Sequence, residues 1–280
     1  MLSLGLKNKP EEFPSELLLN SIPHLSKVKN QDILIKKLAG KTNRNYLIDT
    51  GLNQFVLRIP RASTNPCINR NHENFNNKLV QTLDISPLTV WRQKNKTDDF
   101  TGVSLSTYIP ESSTLTLDDL HDPSTLKRLS SVLKELQNSK IKFKGKLDNQ
   151  KIKHYLHLYF DACSKEKQKN LKDDFIQALE LLELIEDSRS AVPSHIDLVK
   201  ENILIQSDKI WLIDWEYSAM ASPFWDIATL CNTAEYTEEE AKNLLKLMFK
   251  DYKKNDIECL NQYRQLTETM DYFWEAAFRK

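Results

Sequence analysis

The sequence predicts an α+β chain of two lobes, a small antiparallel-sheet lobe over residues 1–110 and a larger, mainly helical lobe over residues 111–280. Three observations predict it. Residues 33–60 read ILIKKLAGKTNRNYLIDTGLNQFVLRIP, where apolar and polar residues alternate around small turn formers, the period-2 signature of half-buried strands. From Leu117 onward, apolar residues recur at helical spacing through most of the chain. One β-rich stretch, HIDLVKENILIQSDKIWLIDWEYSAM, interrupts those helices. A length of 280 residues suits one large domain or two lobes sharing a cleft, and a cleft between lobes is the expected ligand site.

In the first lobe three strands run in series, joined by turns at residues 39–45, around Gly40, and at 49–53, where DTGLN holds another glycine. The segment INRNHENFNNKLVQTL sets Phe75, Leu79 and Leu83 on one face and predicts a helix packed on that sheet. Two more strands follow, PLTVWRQ and GVSLSTYIP, before Pro110 and the polar ESSTLTLDD mark the passage to the second lobe. Helices are predicted there over 122–137, 151–163 and 171–185. The basic SKIKFKGKLDNQ reads as a solvated loop, and NILIQ and IWLID, joined by SDK, as a hairpin.

Lysine plus arginine and aspartate plus glutamate number 39 each, so no overall field steers the chain toward nucleic acid or an acidic membrane. The start, MLSLGLKNKPEEFP, lacks the apolar core of a signal peptide. No stretch approaches the roughly 20 apolar residues that span a bilayer, and a cytoplasmic location is expected. Cys67, Cys163, Cys231 and Cys259 stand singly, without CxxC or a zinc-like His spacing, and read as reduced, mostly buried thiols. Nothing in the sequence names a protein partner.

Chemistry concentrates in His195-Ile-Asp197-Leu-Val-Lys-Glu-Asn202 and in Asp214, which closes the second strand of the hairpin. Singly, each residue has an ordinary structural role, as cap, turn residue or turn initiator. Together, Asp197, Asn202 and Asp214 supply what phosphoryl transfer needs: a carboxylate near the attacking hydroxyl and oxygen ligands holding magnesium against the phosphates.

These residues resemble the catalytic motif of the protein-kinase-like small-molecule kinases, the family of aminoglycoside phosphotransferases and choline kinases, over nearly the whole chain. The resemblance implies a bilobal protein-kinase-like fold, ATP as co-substrate and Mg2+ as cofactor. It assigns Asp197 to the acceptor hydroxyl, His195 to bracing the catalytic loop, and Asn202 and Asp214 to the metal. LAGKTNRNY resembles the phosphate-covering loop, with one glycine in place of GxGxxG; Lys41, Thr42, Asn43 and Arg44 offer donors there, though a plain hairpin turn accounts for them equally. Arg58 in FVLRIP stands where protein kinases keep their phosphate-binding lysine, and Glu73 where the partner helix supplies its anchoring glutamate.

TNRNY, VLRIP, INRNHE and IDWEYSAMASPFWDIATL look most like bacterial choline kinases, so choline is the expected small-molecule alcohol. A quaternary ammonium has no N–H to donate and is held by aromatic faces with a carboxylate nearby. Trp215, Glu216, Trp225, Glu235, Tyr236 and Trp274 are the candidates for that pocket, and Asp226 is expected to brace the catalytic loop. Ethanolamine, thiamine or an aminoglycoside are rival acceptors for the same fold. A nucleotide-binding scaffold without turnover is the reading from another class.

Overall fold

The computed structural model describes residues 13–29, 32–40, 42–61 and 67–278. Contacts divide the chain into two units, 1–64 with 87–110, and 65–86 with 111–280. The first unit ends at Pro110, and residues 65–86 group with the helical unit.

The sheet unit opens with α1 (Glu16–Ser21), capped by the Ser15 hydroxyl. Five antiparallel strands follow: β1 (Leu34–Leu38), β2 (Asn43–Asp49), β3 (Gln54–Pro60), β4 (Thr89–Lys94) and β5 (Phe100–Thr107), in the order β1-β2-β3-β5-β4. Register follows burial, because Tyr46, Ile48, Phe55, Leu57 and Leu105 join Ile22 of the α1 region in one apolar core. The first turn is tighter than the sequence suggests. Asn43 and Arg44 lie on β2, while Lys41 lies outside the described residues. Gly40 is required there by close approach: a Cβ would stand 2.6 Å from the Asn43 carbonyl oxygen and 2.8 Å from Asn45 Nδ2. The Asn45 amide in turn donates to the Ala39 carbonyl.

The helical unit contains α2 (Arg70–Val80), β6 (Ser113–Thr114), α3 (Leu117–His121), α4 (Pro123–Asn138), β7 (Lys146–Leu147), α5 (Asn149–Ala162), α6 (Lys165–Asn170) and α7 (Lys172–Leu184). Next come β8 (Val192–Ser194), β9 (Ile203–Gln206), β10 (Lys209–Leu212), β11 (Ala219–Ala221), α8 (Pro223–Thr233), α9 (Glu238–Met248) and α10 (Lys254–Phe278). Helix starts follow capping chemistry: Asp122 precedes Pro123 at α4, Ser222 precedes Pro223 at α8, and Thr237 forms a capping box with Glu240 at α9. Helix α8 is buried from Pro223 to Cys231 and forms the centre of the unit, with α10 packed along it. The hairpin β9–β10 extends through β6, and β11 pairs with β7 in parallel and with β8 antiparallel.

Helix α2 corrects one expectation. Its buried face is polar, made of Glu73, Asn76 and Asn77 with Val80, whereas Phe75 is partly exposed under the Lys144 ammonium. The Asn76 amide explains why the helix joins the helical unit: Nδ2 donates to the Lys144 and Ser218 carbonyls, and Oδ1 accepts from the Lys144 N–H. This pins 143–145, expected as a solvated loop, against α2.

Among the described residues no helix is long and apolar enough to cross a membrane. All four cysteines are free thiols, buried except for the half-buried Cys67.

Candidate active site

Strand β8 delivers the chain into a loop whose conformation is unusual from its second residue. Ile196 has φ of 75°, a left-handed backbone that a β-branched side chain disfavours. Three bonds from the start of α8 hold it there. One Asp226 carboxylate oxygen accepts from the His195 N–H and the other from the Ile196 N–H, each at 2.8 Å, and the Trp225 indole donates to the Ile196 carbonyl. Asp226 thus braces the loop, as the resemblance implies.

His195 is fully buried, and its Nε2 donates to the Ile213 carbonyl at 2.8 Å, tying the loop to the end of β10. Burial keeps its imidazole neutral, with the pKa down to about 4. Asp197 follows, and Asn202 Nδ2 donates both to its carbonyl at 2.9 Å and to its Oδ2 at 3.0 Å. The Asn202 carbonyl accepts from the Ile213 N–H, so Asn202 and the residue before Asp214 are joined through the backbone. Asp214 is itself left-handed, with φ of 64°, where β10 breaks into the 3-10 turn Trp215–Tyr217.

The electrostatics of this cluster are those of crowded acids. Burial pushes Asp197 up to about 8, helped by the negative charges of Asp214, Asp271 and Glu216, while the Asn202 amide opposes the shift. Clustered carboxylates of this kind suit a bound cation. Among the described residues no three His, Cys, Asp or Glu side chains converge to hold a metal by themselves. Asp214 and Asn202 could offer magnesium one carboxylate and one amide oxygen, ligand types that it accepts.

The expected acceptor pocket is rearranged. Trp215 is buried with its indole donating to Leu212, against His195 and Phe143. Trp225 is buried on Tyr263 and bonded to the loop, and the Tyr236 hydroxyl is buried against the Leu120 carbonyl. These three aromatics support the core rather than forming a cage, because each polar tip reaches a backbone carbonyl inside the protein. Glu216 is buried and ion-paired to Arg70, and Glu235 is an exposed left-handed residue ending α8. Trp274 is half-buried on α10, three residues from Asp271 and so on its face of the helix. In the sheet unit, Asn43 is buried and Arg58 donates to the Gly102 carbonyl on β5. Glu73 is held by Arg70 within the helical unit.

Sequence reasoning missed Arg70, Asn76 and Asp271. The first two sat away from the stripe of Phe75, Leu79 and Leu83, on helix faces assumed to be solvated. The INRNHE segment, with its Arg three residues before Glu, carried a usable signal for Arg70.

Residues 35–263 match the Phosphotransferase enzyme family. The chain belongs to that family. Two Protein LicA sequences of Haemophilus influenzae are 32% identical to it. One matches over 239 residues, 85% of this chain, and the other over 206 residues, 73% of this chain and 75% of its own length. The chain spans 66% of the first of these relatives. The crystal structure of choline kinase LicA from Streptococcus pneumoniae superposes with a TM-score of 0.75 at 24% identity, covering 88% of this chain and 85% of its own. That likeness establishes the fold as protein-kinase-like, with the antiparallel sheet and the helical unit expected of an α+β member of the family.

Proposed function

We propose that this chain is an ATP- and magnesium-dependent choline kinase, moving the γ-phosphoryl group to the choline hydroxyl to give phosphocholine and ADP. The observation that carries the reading is the group of acids at Asp197, where Asp214 and Asp271 of α10 add negative charge while Glu216 is paired with Arg70. A cationic alcohol seated there is attracted while its hydroxyl faces the base. The LicA likeness supports the same acceptor.

Asp197 takes the hydroxyl proton as the O–P bond forms and the bond to the ADP leaving oxygen breaks. Magnesium, when bound by Asn202 and Asp214, supplies neutralisation of phosphate charge. His195, Asp226 and Trp225 fix the loop in its left-handed turn, so that positioning is set before substrate arrives. Asn43, Arg44 and Arg58 are proposed to serve the nucleotide phosphates, with Glu73 as the helix anchor. For the acceptor's cationic head, Asp271 and Trp274 replace the buried indoles as the proposed contacts. Asp271→Asn is expected to raise the KM for choline about tenfold while kcat and the KM for ATP stay within about twofold, in a steady-state assay. An unchanged choline KM sinks that assignment.

The test of the function is ADP release from magnesium-ATP with choline, ethanolamine, thiamine or an aminoglycoside as acceptor. Turnover with choline, lost in Asp197→Ala, is the expected result. Turnover with another acceptor alone discards choline and keeps the chemistry. No acceptor-dependent turnover at all favours the scaffold reading.

A further inference from the structure

Arg70 opens α2, and a single nitrogen of its guanidinium serves two carboxylates: Nη1 lies 2.7 Å from Glu73 Oε2 and 2.8 Å from Glu216 Oε2. The three side chains are 12%, 1% and 2% exposed, so solvent screens this group very little. Two buried carboxylates that share one approach repel each other unless a cation stands between them. The second terminal nitrogen, Nη2, is buried and meets no acceptor among the described residues. The placement of the guanidinium is therefore dictated by the two glutamates.

The two glutamates belong to different parts of the helical unit. Glu73 is on α2, which Asn76 locks to Lys144 and to Ser218. Glu216 is in the 3-10 turn that begins directly after Asp214. We infer that Arg70 is a positioning residue for phosphoryl transfer: it ties α2 to the turn that directly follows Asp214. This rests on the function proposed above. Arginine suits the task because its planar guanidinium stays charged when buried.

The test compares Arg70→Met, Arg70→Lys and Arg70→Met/Glu216→Gln with the wild type, each checked for folding by circular dichroism. Arg70→Met is expected to lower kcat by about 10- to 100-fold with the choline KM within about threefold. Arg70→Lys should recover part of kcat, and Glu216→Gln should restore part of it in the Arg70→Met background, because the two buried glutamates then no longer repel each other. A wild-type kcat in Arg70→Met, or no recovery in either rescue, overturns the inference. If Arg70→Met does not fold, Arg70→Lys decides: a several-fold lower kcat supports the role and an unchanged kcat overturns it.

A second readout does not depend on turnover. The magnesium concentration giving half-maximal thermal stabilisation by ADP should shift at least about threefold in Arg70→Met, or in Arg70→Lys if only that variant folds. A wild type inactive with every acceptor would defeat the choline reading alone, and an unshifted magnesium midpoint would then defeat this inference.

Discussion

Asp197→Ala is expected to lower kcat by about 10²- to 10⁴-fold while leaving the affinity for magnesium-ADP within about threefold, because a general base acts only on the proton in flight. Asp214→Ala is expected to lose both, since its carboxylate is the charged member of the proposed metal pair. The contrast is sharpened by the local field. Asp197 is pushed up to about 8 by burial and then by the charge of Asp214, so a neutral residue in its place removes the proton acceptor without removing a metal ligand. Stopped assays for kcat and isothermal titration calorimetry for magnesium-ADP separate the two outcomes. Equal, mild losses in both variants would mean that the two carboxylates do not divide the work as proposed.

What the sequence made legible here was local. The strand pairs β2–β3 and β9–β10 are joined by short turns, so alternation and turn residues together place them. The loop proposed as catalytic was legible for a related reason: Asn202 bonds to Asp197 and, through its carbonyl, to the Ile213 N–H beside Asp214, and their spacing is visible in a single stretch of chain. Helix α2 was legible as a helix but not in its orientation. Pattern reading assigns the apolar stripe to the interior, and here Glu73, Asn76 and Asn77 are inside, with Asn76 satisfied by Lys144 and Ser218, partners distant in sequence. A buried polar face is tolerable only when those partners exist, and a sequence does not display them.

The tryptophans illustrate the converse. An indole is equally suited to a cation cage and to a core with one backbone carbonyl in reach. Trp215 and Trp225 took the second course, with Leu212 and Ile196 as acceptors. Asp271 was invisible because it looks like any exposed acid on a long helix. Only the packing of α10 on α8 and α5 brings its charge to bear on a loop formed much earlier in the chain.

The same packing makes Asp226 the residue whose loss should most damage stability. Its two oxygens accept from two consecutive backbone N–H groups, which a carboxamide cannot do. Asp226→Asn would keep one bond and set an NH2 group against the other N–H, leaving a buried donor unpaired beside Ile196, whose left-handed backbone stays strained. The expected cost is about 2–4 kcal/mol. That corresponds to a melting temperature lower by roughly 5–15 °C by calorimetry.

The substitution should also change the response to acid. The folded chain keeps His195 neutral down to about 4, while an unfolded histidine takes its proton near 6.5, so this group makes stability fall as pH drops through that interval. Burial raises Asp226 to about 6, above the roughly 3.9 of an unfolded aspartate, so its contribution is full at low pH and is lost as pH rises through about 6. The two slopes oppose each other between about pH 4 and 6 in the wild type. Asp226→Asn removes one of them, and its melting temperature should fall more steeply than the wild type's on acidification over that range. Parallel melting curves would show that Asp226 does not hold its proton as its burial requires.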